Sequence, residues 1–176
     1  MNANQFLNDK NPRVLIEVEH LGVMTVELFP EVAKNTVDNF LKYVNNHYYD
    51  GLIFHRVISG FMIQGGWGKN IFPPIKGEFG SNGFKNPLKH TRGVISMART
   101  MNKNSQTSQF FIMHADSPHL DNEYAAFGVL VDGFKVLDEI AQMPTDHMDQ
   151  PRFEVKILSV TAQLNGYEPS EPEYFL

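Results

Sequence analysis

Residues 54–66 read FHRVISGFMIQGG, and how this stretch is read decides the rest of the chain. One arginine, Arg56, stands among Phe54, Val57, Ile58, Phe61, Met62 and Ile63. An arginine is always charged and is costly to bury without a partner. Its neighbours are strand formers punctuated by Ser59-Gly60 and bounded by Gly65-Gly66, the pattern of two short strands joined by a turn. A cation is thereby set on an apolar wall with one amide, Gln64, close by. Two readings fit the stretch taken alone. It is either a core strand whose arginine snorkels out or pairs with a carboxylate, or a strand that presents a functional cation. The rest of the chain has to decide.

The chain has 176 residues, no cysteine and a formal net charge of −5. A single domain of this length buries roughly 70% of its unfolded surface and needs no disulfide or metal staple. The absence of cysteine excludes disulfides and thiolate metal sites. The negative balance argues against nucleic acid or an anionic membrane as the main partner. No apolar run approaches the roughly 20 residues needed to span a bilayer. The opening MNANQFLNDKNPR is polar and lacks the apolar region of a signal peptide. These features lead us to expect a soluble, cytoplasmic, monomeric protein.

Outward from the central stretch, Arg13–Glu19 and Val23–Leu28 each alternate, and His20-Leu21-Gly22 between them makes a hairpin. Pro30 precedes a helical pattern. Val32, Thr36, Val37, Phe40, Leu41 and Val44 fall on one face, with Lys34, Asp38 and Lys42 on the other. Residues 66–93 form a long segment with little periodicity, which inside a compact domain is either functional or a wrapped surface loop. Strands are predicted at Val94–Met97, Phe110–Met113 and Phe127–Val131, and a short helix after Gly133 buries Val136, Leu137, Ile140 and Ala141. A last strand spans Phe153–Ala162, with a phase change at Ile157-Leu158 that points to a bulge. The expected organisation is an arm at 1–12, a domain at 13–163, and a proline- and glutamate-rich tail at 164–176 forming a solvated surface strip. About eight short strands and two helices make a mainly β fold, as two sheets or a closed barrel with the helices capping its open ends.

Common reaction centres are missing. There is no G-x-S-x-G, no phosphate-cradling glycine motif and no H-E-x-x-H. The seven histidines are scattered, so neither a metal site nor a cofactor is expected. His55 reads as a polar strand residue, and His90 and His114 as solvated or locally hydrogen-bonded. What remains is apolar and amide residues on separate strands. Ser108–Ile112 places Gln109 and Phe111 on one face and Phe110 and Ile112 on the other. Phe61, Met62, Phe111 and Leu120 could line a small apolar pocket with Arg56, Gln64 and Gln109 as its few polar groups, the general make-up of a ligand site. The alternative is that all of them are core.

FHRVISGFMIQGG, then KHTRGVISMART, then SQFFIMHADSPHLDNEYAAFG, resembles in order the cyclophilin family of peptidyl-prolyl cis-trans isomerases, in its short bacterial single-domain form. The resemblance runs from about Arg13 to Gln163. It implies an eight-stranded antiparallel β-barrel capped by two α-helices. It implies isomerisation of X–Pro bonds in unfolded or flexible segments, assisting folding with no covalent intermediate. By position it makes Arg56 the catalytic arginine, and Phe61, Met62, Phe111 and Leu120 the walls and floor of the prolyl pocket. Gln64 and Gln109 become substrate-holding amides, and Ala98 and Arg99 positions whose backbone pairs with the peptide. The family often has asparagine where Arg99 stands. Where the best-known eukaryotic pattern has tryptophan and histidine, this chain has His119 and Tyr124. The first departure implies weak binding of cyclosporin, and the second keeps an aromatic wall. A rival reading is a module that only grips proline segments, which would have no need of the cation. A further rival is a small hydrolase built on scattered His and Asp.

Overall fold

A computed structural model describes all residues, Met1–Leu176. Eight strands form one antiparallel sheet: β1 (Arg13–Val18), β2 (Gly22–Leu28), β3 (Phe54–Ile58), β4 (Met62–Gly65), β5 (Val94–Met97), β6 (Phe110–Met113), β7 (Ala126–Asp132) and β8 (Ile157–Gln163). Their order is β3-β4-β6-β5-β7-β2-β1-β8. The sheet curls until its two edges meet. At the seam there is an Ile53–Lys156 bridge, and backbone bonds run from Phe54 N–H to Val155 O (3.0 Å) and from Ile157 N–H to Leu52 O (2.8 Å). The barrel is therefore closed by a short stitch and not by a full ladder.

The alternation read from β1 and β2 sends Val14, Ile16, Val18, Met24, Val26 and Leu28 into the core. Helix α1 (Pro30–Asn45) plugs one end of the barrel. Its Phe40 packs against Tyr49, Phe110 and Phe127, with ring centroids 5.3–5.5 Å apart. Helix α2 (Phe134–Ala141) buries Val136, Leu137, Ile140 and Ala141. The first turn of α1 is broken at Ala33, whose φ of −152° is not helical. The restarted helix leaves the Thr36 N–H without an intrahelical acceptor. The Glu78 carboxylate takes it at 2.7 Å and also accepts the Thr36 hydroxyl at 2.7 Å. A residue of the long 66–93 segment thus caps the helix from 42 positions away.

Several sequence expectations need correction. Asp38 is buried rather than solvated, because Tyr167 of the tail donates its hydroxyl to it and Lys34 reaches it at 2.6 Å. The tail is irregular but is not a free strip; it is strapped along α1. Lys42 binds Glu171 and Tyr174, Asn35 exchanges two bonds with the Glu173 backbone, and Pro172 is buried. The arm at 1–12 is docked too. Ala3 is buried in a single 3-10 turn (Ala3–Phe6), and Asn8 and Asn11 both donate to the buried Glu27. The last strand begins at Ile157, not at Phe153, which is 75% exposed. The phase change at Ile157-Leu158 coincides with a bulge: pairing passes from Glu17–Ser159 to Val18–Ile157, leaving Leu158 unpaired.

Candidate active site

The site is laid out by strand register. Arg56 on β3 pairs with Gln64 on β4, Gln64 with Phe111 on β6, and Phe111 with Ser96 on β5. Residues directly opposite one another project to the same face, so these side chains form one row across four strands. The next row on that face is Ile58, Met62 and Met113. A bulge at His55 shifts the β3–β4 pairing and brings Arg56 opposite Gln64. The turn between the strands uses Gly60 at φ 78°, a conformation that favours glycine. His114 secures this turn. Its Nδ1 accepts the Gly60 N–H (2.8 Å), its Nε2 faces Asp138 (3.1 Å), and its own N–H binds the Phe61 carbonyl (2.8 Å).

Arg56, Phe61, Met62, Gln64, Ala98, Arg99, Phe111, Leu120 and Tyr124 line a cavity of about 170 Å³. All of them are residues the sequence singled out. Gln109 stands beside the cavity and accepts a hydrogen bond from the Gln64 amide at 3.0 Å. His119 does not line it; exposed, it borders an adjoining groove shared with Thr100, Met101, Lys103 and Glu123. Its ring lies 5.9 Å from that of Phe61. Phe111 is the floor and is 5% exposed. Tyr124 meets it edge to face at 5.7 Å. Leu120 is presented by a single 3-10 turn, Pro118–Leu120.

The two arginines of the cavity are held differently. The Arg99 side chain donates twice to the Glu123 carbonyl (3.0 and 2.8 Å) and lies between the Phe79 and Tyr124 rings at 5.0 and 4.7 Å. It stiffens the Tyr124 wall, a role the sequence reading did not assign. Arg56 is exposed and has neither an ion-pair nor a hydrogen-bond partner within the chain. The apolar wall expected around Arg56 is therefore open to water in the free protein. The Ala98 N–H is already donated to the Gln109 carbonyl (3.0 Å). This leaves the Ala98 carbonyl and the Arg99 N–H for an incoming backbone.

Beneath the floor lies His90, which the sequence reading took as solvated or locally hydrogen-bonded and which the structure buries. His90 is 1% exposed and stacks on Phe111 with centroids 6.1 Å apart and planes 19° from parallel. Its Nδ1 donates to Asp121 (3.1 Å), so its Nε2 accepts the Ser96 hydroxyl (2.9 Å). Burial pushes its pKa down, with Asp121 opposing, and the ring is neutral near pH 7. Ser96 is fully buried, so this Ser–His–Asp line supports the pocket and cannot serve as a nucleophile. No group of three or more His, Cys, Asp or Glu side chains is arranged to hold a metal ion, and no helix is long and apolar enough to cross a membrane.

Comparison with known proteins agrees with this geometry. Residues 13–162 match the family model described as cyclophilin type peptidyl-prolyl cis-trans isomerase/CLD. The chain belongs to the cyclophilin-type peptidyl-prolyl cis-trans isomerases. It is 45% identical over 156 residues to a peptidyl-prolyl cis-trans isomerase of Acinetobacter baylyi, covering 80% of each chain. It is 39% identical over 150 residues to one from Arabidopsis thaliana, covering 83% of this chain and 93% of the other. A crystal structure of a Cryptosporidium parvum cyclophilin superposes with a TM-score of 0.77 at 32% identity, covering 87% of this chain and 97% of that one. A second structure of that protein, in the presence of the dipeptide Ala-Pro, also gives 0.77, at 33% identity and 86% and 98% coverage. The cyclophilin barrel anticipated from the sequence is thus the fold of this chain.

Proposed function

We propose that this cyclophilin rotates X–Pro bonds in the cavity floored by Phe111, with Arg56 as the group that acts on the amide. The observation that carries the reading is an unpartnered guanidinium on the rim of a small cavity walled by Phe61, Met62, Phe111 and Leu120. The X–Pro bond resists rotation because of its partial double-bond character, with a barrier of about 18–20 kcal/mol. Unaided exchange takes tens to hundreds of seconds. Shortening about 100 s to about 1 ms requires about five decades, or about 7 kcal/mol.

In the twisted state the nitrogen loses resonance and offers a lone pair. Arg56 donates to it there and not to the planar ground state, which is the condition for lowering a barrier. One preorganised donor contributes roughly 3–4 kcal/mol when water is excluded. Since Arg56 is exposed in the free protein, the bound peptide itself must supply that exclusion. The remainder comes from apolar contacts of Phe61, Met62, Phe111 and Leu120, which disfavour the charge-separated planar amide. Gln64, Gln109 and the backbone of Ala98 and Arg99 fix one side of the peptide while the other turns. No cofactor or covalent intermediate enters.

The substrates are proline-containing peptides and unfolded or flexible segments, with little preference for the residue before proline, and the working form is a cytoplasmic monomer. A cis/trans exchange assay of wild type beside Arg56→Ala tests the mechanism. The expected result is at least a hundredfold loss of turnover with an unchanged melting temperature; unchanged turnover sinks it. Weak inhibition by cyclosporin is expected, because exposed His119 offers less flat surface than an indole and no indole N–H. His119→Trp should tighten it; tight inhibition of the wild type with no gain in the variant would reverse that reading.

A further inference from the structure

Trp67 is the only tryptophan in the chain and is 66% exposed. Single exposed apolar rings are ordinary on a protein surface, and Phe153 is another here; what distinguishes Trp67 is how it is held and what it touches. This one does not sit on a loose loop. Its neighbours are clamped: a Cβ on Gly66 would come within 2.7 Å of the Ser108 carbonyl, and one on Gly68 within 2.9 Å of the Tyr48 hydroxyl. Gly66 has φ 87°, and its carbonyl accepts the Ser108 hydroxyl at 2.7 Å. Glycine on both sides lets the backbone lie flat against Tyr48 and Tyr49, so the indole is the one side chain directed outward. It lies three positions beyond Gln64, whose side chain lines the prolyl cavity.

The indole is joined to that cavity through His55. The two rings lie 5.7 Å apart, tilted by 52°. His55 is the bulged residue immediately before Arg56, and bulges commonly re-aim a side chain beside a site. It stands next to the Gln109 amide, which binds Gln64. Its Nδ1 is buried and has no hydrogen-bond partner. Burial holds its pKa down, so the ring is neutral near pH 7 and does not repel an apolar neighbour. The floor of the site thus continues from the cavity, past Gln64 and Gln109, onto two flat rings.

We propose that Trp67 and His55 form an aromatic subsite that favours client segments carrying a flat apolar side chain, Phe or Tyr, a short distance along the chain from the isomerised proline. The proposal rests on the isomerase reading and adds a substrate preference to it. An extended peptide advances about 3.3 Å per residue, so the position of the selected ring relative to the proline is read by moving one aromatic residue along the peptide. An aromatic pair adds enough beyond simple burial to change affinity about three- to tenfold.

The test uses the full chain and short peptides with one Ala-Pro bond, each with a single Phe at successive positions on either side, against an all-alanine control. Wild type is expected to show kcat/KM about three- to tenfold higher for Phe at one position than for the control, with the gain in KM. That ratio should fall to near one in Trp67→Ala and persist in Trp67→Phe. Trp67 emission should also shift when the Phe peptide is titrated onto Arg56→Ala, in which binding is separated from turnover. A ratio near one at every position in wild type, or one that persists in Trp67→Ala, overturns the subsite. Wild type that turns over the control without preferring Phe sinks only this inference. Failure to turn over any peptide sinks the isomerase reading, and the emission titration then judges the subsite separately.

Discussion

The cavity floored by Phe111 and the strap along α1 handle cations in opposite ways. On the strap, Lys42 binds Glu171 and Tyr174 and lies 4.5 Å over the Phe72 ring, while Lys34 is taken up by Asp38 and Ser170. In the cavity, Arg99 is likewise engaged by the Glu123 carbonyl and two rings, yet Arg56, across the same hollow, binds nothing. A guanidinium held by its own chain shapes the protein; one left free is available to a substrate. The contrast separates residues that build this site from those that act in it, although both line one wall.

The sharpest way to break the comparison is to remove each kind of cation in turn. Arg56→Ala should lower turnover at least a hundredfold, about 2.7 kcal/mol of barrier, with no change in the urea midpoint. A loss of stability instead would place Arg56 among the builders. Deleting residues 166–176 should do the reverse. It removes the Tyr167 hydroxyl from Asp38, which is 3% exposed, and a buried carboxylate that loses a donor costs about 2 kcal/mol. Chemical denaturation should register that loss while kcat/KM stays within error; a fall in turnover would link the strap to the site. Arg99→Ala is expected to raise KM about five- to tenfold through a slackened Tyr124 wall, and Arg99→Lys should not rescue it, since the planar fork cannot be replaced by an ammonium.

The smallest effect concerns pH. His90 is held neutral by burial, so its folded pKa lies below the value of about 6.5 it recovers on unfolding. As pH falls through that range the unfolded chain binds a proton that the folded one refuses, and stability declines. His55 acts in the same sense, and Glu78, raised by burial, in the opposite sense at lower pH. Thermal melts between pH 7.5 and 5.5 should show a shallower decline in His90→Asn than in wild type. Equal slopes would remove His90 from the pH response.

What the sequence disclosed depends on the range of the interaction behind each feature. The hairpin β1–β2, the apolar face of α1 and the bulge at Leu158 follow from periodicity within a few residues, and all are where that periodicity puts them. The grouping of Arg56, Phe61, Met62, Gln64, Phe111, Leu120 and Tyr124 around one cavity was legible because long motifs carry it. Asp38 was misplaced because helical spacing alone assigned it to solvent, whereas its partner Tyr167 lies 129 residues away. His90 was read only as solvated or locally hydrogen-bonded for the same reason: its use beneath Phe111 exists only once the pairing of β5 with β6 places Ser96 opposite that ring. The free state of Arg56 also could not be read, since whether a charge has a partner depends on every element that could reach it.

The seam of the barrel also bears on how the chain comes to be folded. β8 pairs with β1, and the segment leading into it meets the beginning of β3, so the hoop that holds Arg56 is completed by residues about a hundred positions further along the chain. Asp50, just before β3, accepts a hydrogen bond from Val160, 110 residues further on. Contacts of such long range slow folding, because the loop they close must be ordered before the contact stabilises anything. During synthesis the strand that presents Arg56 waits, with one edge unpaired, until β8 emerges. This isomerase is thus closed around its site only once β8 has been made, and a stalled or truncated product lacking β8 would expose an open sheet edge.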